Sequence, residues 1–177
     1  MIKQLFALSA LSLSIVACGG GGGAPSSGSN TAQSSKGGLV GSPAPEFELP
    51  KVGGGTLKLA SLKGKVVLVD FWGTWCEPCK KSFPKYQELY VKYKDKMEIL
   101  AIAEEDANEG LDAFGKSHGN VQFPLLWDEG KGVTGKYGVN TMPTAYLIDR
   151  EGVVRFVHEA FNDGDEAQIE RELKELF

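Results

Sequence analysis

The sequence holds few cysteines, few histidines, no cluster of basic residues and no long apolar run. Three cysteines in 177 residues are too few for a small scaffold stapled by bridges, so any cysteine pair needs another explanation. The two histidines, His118 and His158, are isolated from each other and from the cysteines, which suits structural or exposed roles better than ligation. Lysine and arginine number 19 against 23 acidic residues, for a formal charge of -4. With no basic run, the clustered footprint that nucleic acid requires is missing. The mild acidity favours solubility and selects no partner. The longest apolar stretch, Leu5 to Val16, is about a dozen residues, short of the roughly 20 that a spanning helix needs. No internal repeat is present.

What is present begins with an address. Lys3 precedes the apolar stretch, which ends Ile15-Val16-Ala17-Cys18. This ending resembles the bacterial lipobox. An ordinary export site wants a small residue where Ile15 stands. Residues 1–17 therefore read as a lipoprotein signal peptide, with cleavage before Cys18 and lipid on its sulfur, which anchors a chain to a membrane surface without spanning it. A plain signal peptide with a chance cysteine is the competing reading. Residues 18–40 open on the run Gly19 to Gly23 and continue rich in Ser, Asn, Thr and Gln. That composition builds no core and reads as a flexible tether with a reach of roughly 25 Å. Gly19, where an acidic residue typically retains such proteins at an inner membrane, leans toward an outer membrane if the cell has two. The location expected is extracytoplasmic, on the periplasmic side in a two-membrane cell.

Residues 41–177 carry the folding pattern, and hydrophobic residues at 42% suffice for one core. Phe47-Glu48-Leu49 and Leu57-Lys58-Leu59 alternate around three glycines and predict an N-terminal β-hairpin. Lys65 to Phe71 is almost continuously apolar, as expected of a strand covered on both faces, and Ile99 to Ala103 predicts a second. Helices are expected from the paired cysteines to about Tyr93, over 107–117, and near Lys131–Tyr137. Ala145 to Ile148 and Val153 to Val157 flank a tight turn and predict a second hairpin. A final helix shows an apolar stripe at Ile169, Leu173 and Leu176, with Asp165 and Gln168 spaced as a capping box. The sum is an α/β fold, a sandwich around a mixed central sheet.

The chemistry concentrates in Asp70-Phe71-Trp72-Gly73-Thr74-Trp75-Cys76-Glu77-Pro78-Cys79. Cys76 falls where a helix begins, among backbone N–H groups without partners, and the positive end of the helix dipole favours a thiolate there. Cys79 lies one turn on, close enough for a disulfide. Pro78 suits a first turn because its missing N–H would have been unpaired anyway. Cys76 is thus expected to be the exposed attacking thiolate and Cys79 the buried resolving thiol. Asp70 ends a buried strand, where a carboxylate is costly unless paired or used. Glu77 places a negative charge between the thiols, which raises thiol pKa values, and a merely solvated charge is its plain alternative. Trp75 is expected at the rim and Trp72 in the core.

Residues 71–81, Phe-Trp-Gly-Thr-Trp-Cys-Glu-Pro-Cys-Lys-Lys, resemble the TlpA/ResA-like branch of the thioredoxin superfamily. Gly41 to Phe47 and Leu62 to Val67 resemble its AhpC/TSA-redoxin-type N-terminal extension, and Thr141-Met142-Pro143-Thr144 its second signature. The resemblance covers residues 41–177 and implies a thioredoxin-like three-layer sandwich. It implies that Pro143 is cis and that the Met142 backbone pairs with a substrate chain as a short added strand. It implies that Asp70 accepts the proton of Cys79, against the alternative of a hydrogen-bonded structural acid. Pro84, inside the first helix, matches a structural proline of the family. Glu77, Pro78 and Trp75 are the residues expected to tune the couple. An acid that the family carries three residues after the second cysteine is replaced by Ser82, for which Glu104 or Glu105 could stand in.

The resemblance implies a dithiol enzyme without cofactor or metal. Its substrates would be disulfides of exported proteins, such as apocytochrome c or the thiols of a metal site. Its electron donor would be a membrane thiol transporter of the CcdA/DsbD type. Nothing suggests an obligate oligomer, and a monomer is expected. A disulfide oxidase or isomerase is the second enzymatic reading. A peroxiredoxin fits poorly, because Phe71 to Thr74 lack the Pro and Thr its peroxidatic cysteine needs upstream. A copper-binding module built on Cys76, Cys79 and Met142 is the reading from another class.

Overall fold

The computed structural model describes residues 38–177. The signal peptide, Cys18 and the tether up to residue 37 lie outside the described residues. Two sheets form. A two-stranded antiparallel hairpin joins β1 (Glu48–Pro50) to β2 (Thr56–Lys58), and a five-stranded sheet runs in the order β5-β4-β3-β6-β7. β3 (Val66–Trp72) pairs in parallel with β4 (Met97–Ala103), which pairs in parallel with β5 (Leu125–Trp127). β6 (Thr144–Ile148) runs antiparallel to β3, and β7 (Val154–Glu159) antiparallel to β6.

β3 is central, and all seven of its residues are buried, which explains its unbroken apolar spelling. Full burial of each large aliphatic side chain contributes about 1.5–3 kcal/mol, so this strand anchors both layers. Its alternate residues divide between two clusters. Val66, Leu68 and Trp72 pack with Cys79, Phe83 and Tyr86 of α1 (Glu77–Tyr93), Leu111 and Phe114 of α2 (Leu111–Ser117), and Ile169 and Leu173 of α4 (Asp165–Leu176). Val67, Val69 and Phe71 face the other way, onto Phe47 and Leu49 of the extension and Val133 and Tyr137 of α3 (Gly132–Tyr137). The arrangement is the expected thioredoxin-like sandwich with a hairpin extension.

The extension also straps the sheet at both edges. Gly41 N–H donates to Val154 O at 2.8 Å, and Val154 N–H donates to Ser42 O at 3.0 Å, at the start of β7. On the opposite edge Val52 N–H donates to Leu125 O at 2.9 Å. Open strand edges invite foreign pairing, and this segment occupies part of each.

Two expectations need correction, and one strand lies outside them. The helix expected over 107–117 begins only at Leu111, because Gly110 takes φ +86° and interrupts the chain before it. The capping box at Asp165 does not form. Gly164, at φ +102°, occupies the cap position, Asp165 accepts instead from the Asn162 backbone at 2.7 Å, and Gln168 donates to Glu172. Strand β5 was not anticipated, since Leu125-Leu126-Trp127 is too short to show alternation. α3, by contrast, stands where expected. Buried Asp128 receives the Val133 and Thr134 backbone N–H groups at 3.0 and 2.8 Å, and the Thr134 hydroxyl at 2.8 Å.

Candidate active site

The chain leaving β3 turns directly into α1. Gly73 O accepts from Cys76 N–H at 3.1 Å, closing a turn with Thr74 and Trp75 at its centre. Cys76 then caps α1, and its Sγ accepts from the Cys79 N–H at 3.2 Å. Cys76 and Cys79 are joined by a disulfide with Cα atoms 5.3 Å apart. Pro78 lies in the first turn, where no N–H is missed. Pro84 lies inside the helix, and the Gly119 backbone comes close beside it.

Exposure differs between the two sulfurs' residues in the expected direction, but the margin is narrow. Cys76 is 3% exposed and Cys79 0%. The expectation of a freely exposed Cys76 is therefore too generous for the oxidised protein. Trp75 is 65% exposed and Trp72 fully buried, the division read from the sequence. The Trp75 indole lies so close over Gly73 that a Cβ there would sit 2.7 Å from its Nε1.

The second loop of the site precedes β6. The Met142–Pro143 peptide bond is cis. Thr144 pairs with Phe71, which sets Pro143 beside the point where β3 becomes the Gly73–Cys76 turn. Met142 packs against the cluster that contains both cysteines. Two residues hold this loop, Thr144 from the signature itself and Ala160 from outside the recognised motifs. The Thr144 hydroxyl donates to Thr141 O at 2.7 Å, and Ala160 N–H donates to Pro143 O at 2.8 Å. Ala160 does so from φ +66°, a left-handed conformation that alanine seldom adopts. No sequence signal marks an alanine for that role.

Asp70 lies on the α1 face of β3, between Leu68 and Trp72. It is completely buried, and neither carboxylate oxygen meets a protein hydrogen-bond donor among the described residues. Burial pushes its pKa well above the usual carboxylate range. The buried Trp72 Nε1 is likewise without a partner. Asp70 also helps to push the Tyr86 hydroxyl pKa upward, after the larger effect of that ring's own burial.

The remaining acids divide cleanly. Glu77 is exposed and ion-paired with Lys80 on the next turn. Ser82 is buried, and its hydroxyl donates to Cys79 O at 3.1 Å. Glu104 pairs with Lys131 at 3.3 Å. Glu105 alone of this pair reaches the turn before Cys76, where it accepts from Thr74. Both histidines are structural. His118 stacks on Phe114 with ring centroids 4.1 Å apart, and His158 meets Glu172 at 2.5 Å. Among the described residues no group of three or more His, Cys, Asp or Glu could hold a metal ion, and no helix is long and apolar enough to cross a membrane.

A redox-active pair at the head of the helix that follows a central strand, with a cis-proline loop beside it, defines a thiol-disulfide oxidoreductase of the thioredoxin fold. Comparison with known proteins agrees. The AhpC/TSA family model matches residues 40–157. The thiol-disulfide oxidoreductase ResA of Bacillus thuringiensis (strain Al Hakam) is 38% identical over 138 residues, 77% of this chain and 78% of the relative. A solved structure from Chlorobium tepidum, described as a thiol:disulfide interchange protein DsbE, superposes with a TM-score of 0.71. It is 32% identical, with 76% of this chain and 94% of that one covered. The exposed lipoprotein thioredoxin Etrx1 of Streptococcus pneumoniae gives a TM-score of 0.61 at 30% identity, covering 75% of this chain and 100% of that one. The chain belongs to the AhpC/TSA family, as a TlpA/ResA-like thioredoxin-fold protein.

Proposed function

We propose that this oxidoreductase works as a reductase of disulfides in extracytoplasmic proteins, held to a membrane by lipid on Cys18. The observation that carries the catalytic assignment is the asymmetry of the site. Only Cys76 keeps any exposed surface, while Cys79 and the unpartnered Asp70 are fully enclosed.

In the reduced protein the Cys76 thiolate, favoured by the α1 N-terminus, attacks one sulfur of a substrate disulfide. A mixed disulfide forms, and the first substrate sulfur leaves as a thiolate that takes a proton from water. Asp70, in its ionised form, then accepts the Cys79 proton. The resulting thiolate attacks Cys76 Sγ, which closes the Cys76–Cys79 disulfide and releases the second substrate sulfur. Two electrons pass from the dithiol to the substrate. An acid with a raised pKa suits this task, because it can take the thiol's proton and hold it transiently. Met142 and Pro143 would align the substrate chain beside the thiols by backbone pairing.

Glu77 and Pro78 between the cysteines, with Trp75 at the rim, would tune the couple. A negative charge at the head of α1 opposes thiolate formation and so favours the disulfide form of the enzyme, as a reductant requires. Reduction in an oxidising compartment needs electrons from elsewhere, and a membrane thiol transporter of the CcdA/DsbD type fits that need. Apocytochrome c, or thiol ligands of a metal site, are the substrates proposed. The lipoprotein character of the pneumococcal relative supports the reading of Cys18.

The reduction potential of the Cys76–Cys79 couple tests the direction. A value near that of thioredoxin, about −270 mV, is expected. A value near about −120 mV, that of a strong oxidant, would make the protein an oxidase instead.

A further inference from the structure

The carboxyl ends of β3, β4 and β5 converge on one residue that the thiol chemistry above does not use. Glu104 N–H donates to Trp72 O at 3.0 Å, tying the chain that leaves β4 to the end of β3. One residue on, Glu105 O accepts from Trp127 Nε1 of β5 at 2.9 Å. The Glu105 backbone is therefore held from both sides. Its side chain reaches back to β3's exit, where a single carboxylate oxygen accepts both the backbone N–H of Thr74 at 2.6 Å and its hydroxyl at 2.7 Å.

Thr74 is the first central residue of the turn that delivers Cys76 to the head of α1. The N–H at that position of a turn points outward and has no partner within the turn. Glu105 satisfies it with a charged acceptor, the stronger class of hydrogen bond, and takes the hydroxyl as well. The turn thus cannot open without breaking two bonds to a carboxylate fixed by the sheet. Trp75, the other central residue, lies folded over Gly73, so the clamp governs the placement of Trp75 and Cys76 together.

We propose that Glu105 is a positioning residue for Cys76: through Thr74 it holds the active-site turn so that the sulfur keeps its attack geometry as it passes between disulfide, thiolate and mixed disulfide. The requirement is for an acceptor at that point, not for a charge near the thiol. The role rests on Cys76 being the attacking thiol, and that assignment has its own control. Cys76→Ser must abolish mixed-disulfide formation while Cys79→Ser traps it. The reverse pattern would overturn the assignment and the clamp's purpose with it.

The test is the pH–rate profile for reduction of insulin disulfides by the reduced protein, with variants at both ends of the clamp. On the high-pH plateau, where Cys76 is fully thiolate, Glu105→Ala is expected to slow exchange about tenfold, as small misplacements of reacting groups do. Glu105→Gln keeps an acceptor and should stay within about twofold of the parent, since only the charge is removed. Thr74→Val loses the hydroxyl, and combined with Glu105→Ala should add no further loss, because residues in one network are not additive. A plateau rate for Glu105→Ala within about twofold of the parent would overturn the proposal, and so would independent multiplication of the two losses. Glu105→Gln failing as badly as Glu105→Ala would also overturn it, by making the effect one of charge. Should Glu105→Ala fail to fold, Thr74→Val against Thr74→Ser decides. Valine should be roughly threefold slower and serine unchanged, and equal rates would sink the clamp.

Discussion

Asp70 is the residue whose environment makes the sharpest demands. A carboxyl enclosed without a donor prefers to be neutral, and burial holds its folded-state pKa well above the ordinary carboxylate range. Between the unfolded and folded pKa values the native state binds the proton that the unfolded state has lost, so stability falls as pH rises through that window. Below the unfolded pKa both states are protonated and no penalty remains. Asp70→Asn should therefore raise unfolding free energy at pH 7 by on the order of 1–3 kcal/mol, the usual cost of an unpartnered buried group. The gain should shrink toward zero near pH 4, as denaturant titrations at both pH values would show. The same substitution should slow resolution of the mixed disulfide by roughly 10²–10⁴-fold, the range for loss of a positioned proton acceptor. Rapid-quench trapping of the Cys76 adduct measures it, and an unchanged lifetime would remove Asp70 from the mechanism. The sequence already shows an acid at the end of a buried strand and a helix starting at the thiols, because both are local facts. It does not show that Asp70 lacks any donor, which depends on what α1 lays across it. Nor does it show that Glu105 rather than Glu104 reaches Thr74, which the exit geometry of two strands decides.

At the scale of elements, strands β3 and β4 are legible because burial on both faces writes them as apolar runs. β5 is not, for it is three residues long and exists as a strand only beside β4. The starts of α2 and α4 mislead for one shared reason. Gly110 and Gly164 take positive φ and hold the cap positions, leaving Asp165 free to bind Asn162. Glycine's backbone freedom leaves no mark in a side-chain pattern. Gly119 combines both lessons. It sits at φ +108°, and a Cβ there would lie 2.9 Å from Pro84 Cα, a backbone atom that cannot swing aside. Gly119→Ala should cost at least about 2 kcal/mol through strain and displacement of α1, visible as a lowered denaturant midpoint. α3 offers a separable case. Asp128→Ala removes the acceptor of two backbone N–H groups and the Thr134 hydroxyl, and should destabilise by about 2 kcal/mol, the upper range for a lost helix cap. A shift below a few tenths in the same assay would deny Asp128 that role.

Across the whole molecule, the extension is structural rather than decorative. It covers Val67, Val69 and Phe71 with Phe47, Leu49 and Leu59, and it bonds to β7 at one edge and β5 at the other. Removing residues 38–58 should strip Phe47 and Leu49 from the sheet face they share with α3 and yield aggregated protein. A nick in the Gly53–Gly55 turn should leave the two pieces associated under native conditions and separate them in denaturant. Native release of the N-terminal piece in size-exclusion chromatography would contradict the strap. The resemblance to a known family made this extension recognisable. Its reach to both edges was not, since no local pattern in residues 41–44 names Val154 as a partner.

That strap also gives the molecule a top and a bottom. Gly41, Ser42 and Ala44 bond to Val154 and Gly152, at the end of the sheet where β3 begins, whereas the disulfide sits where β3 ends. Seven strand residues separate the two, about 23 Å. The polypeptide therefore enters the domain at the pole opposite its thiols.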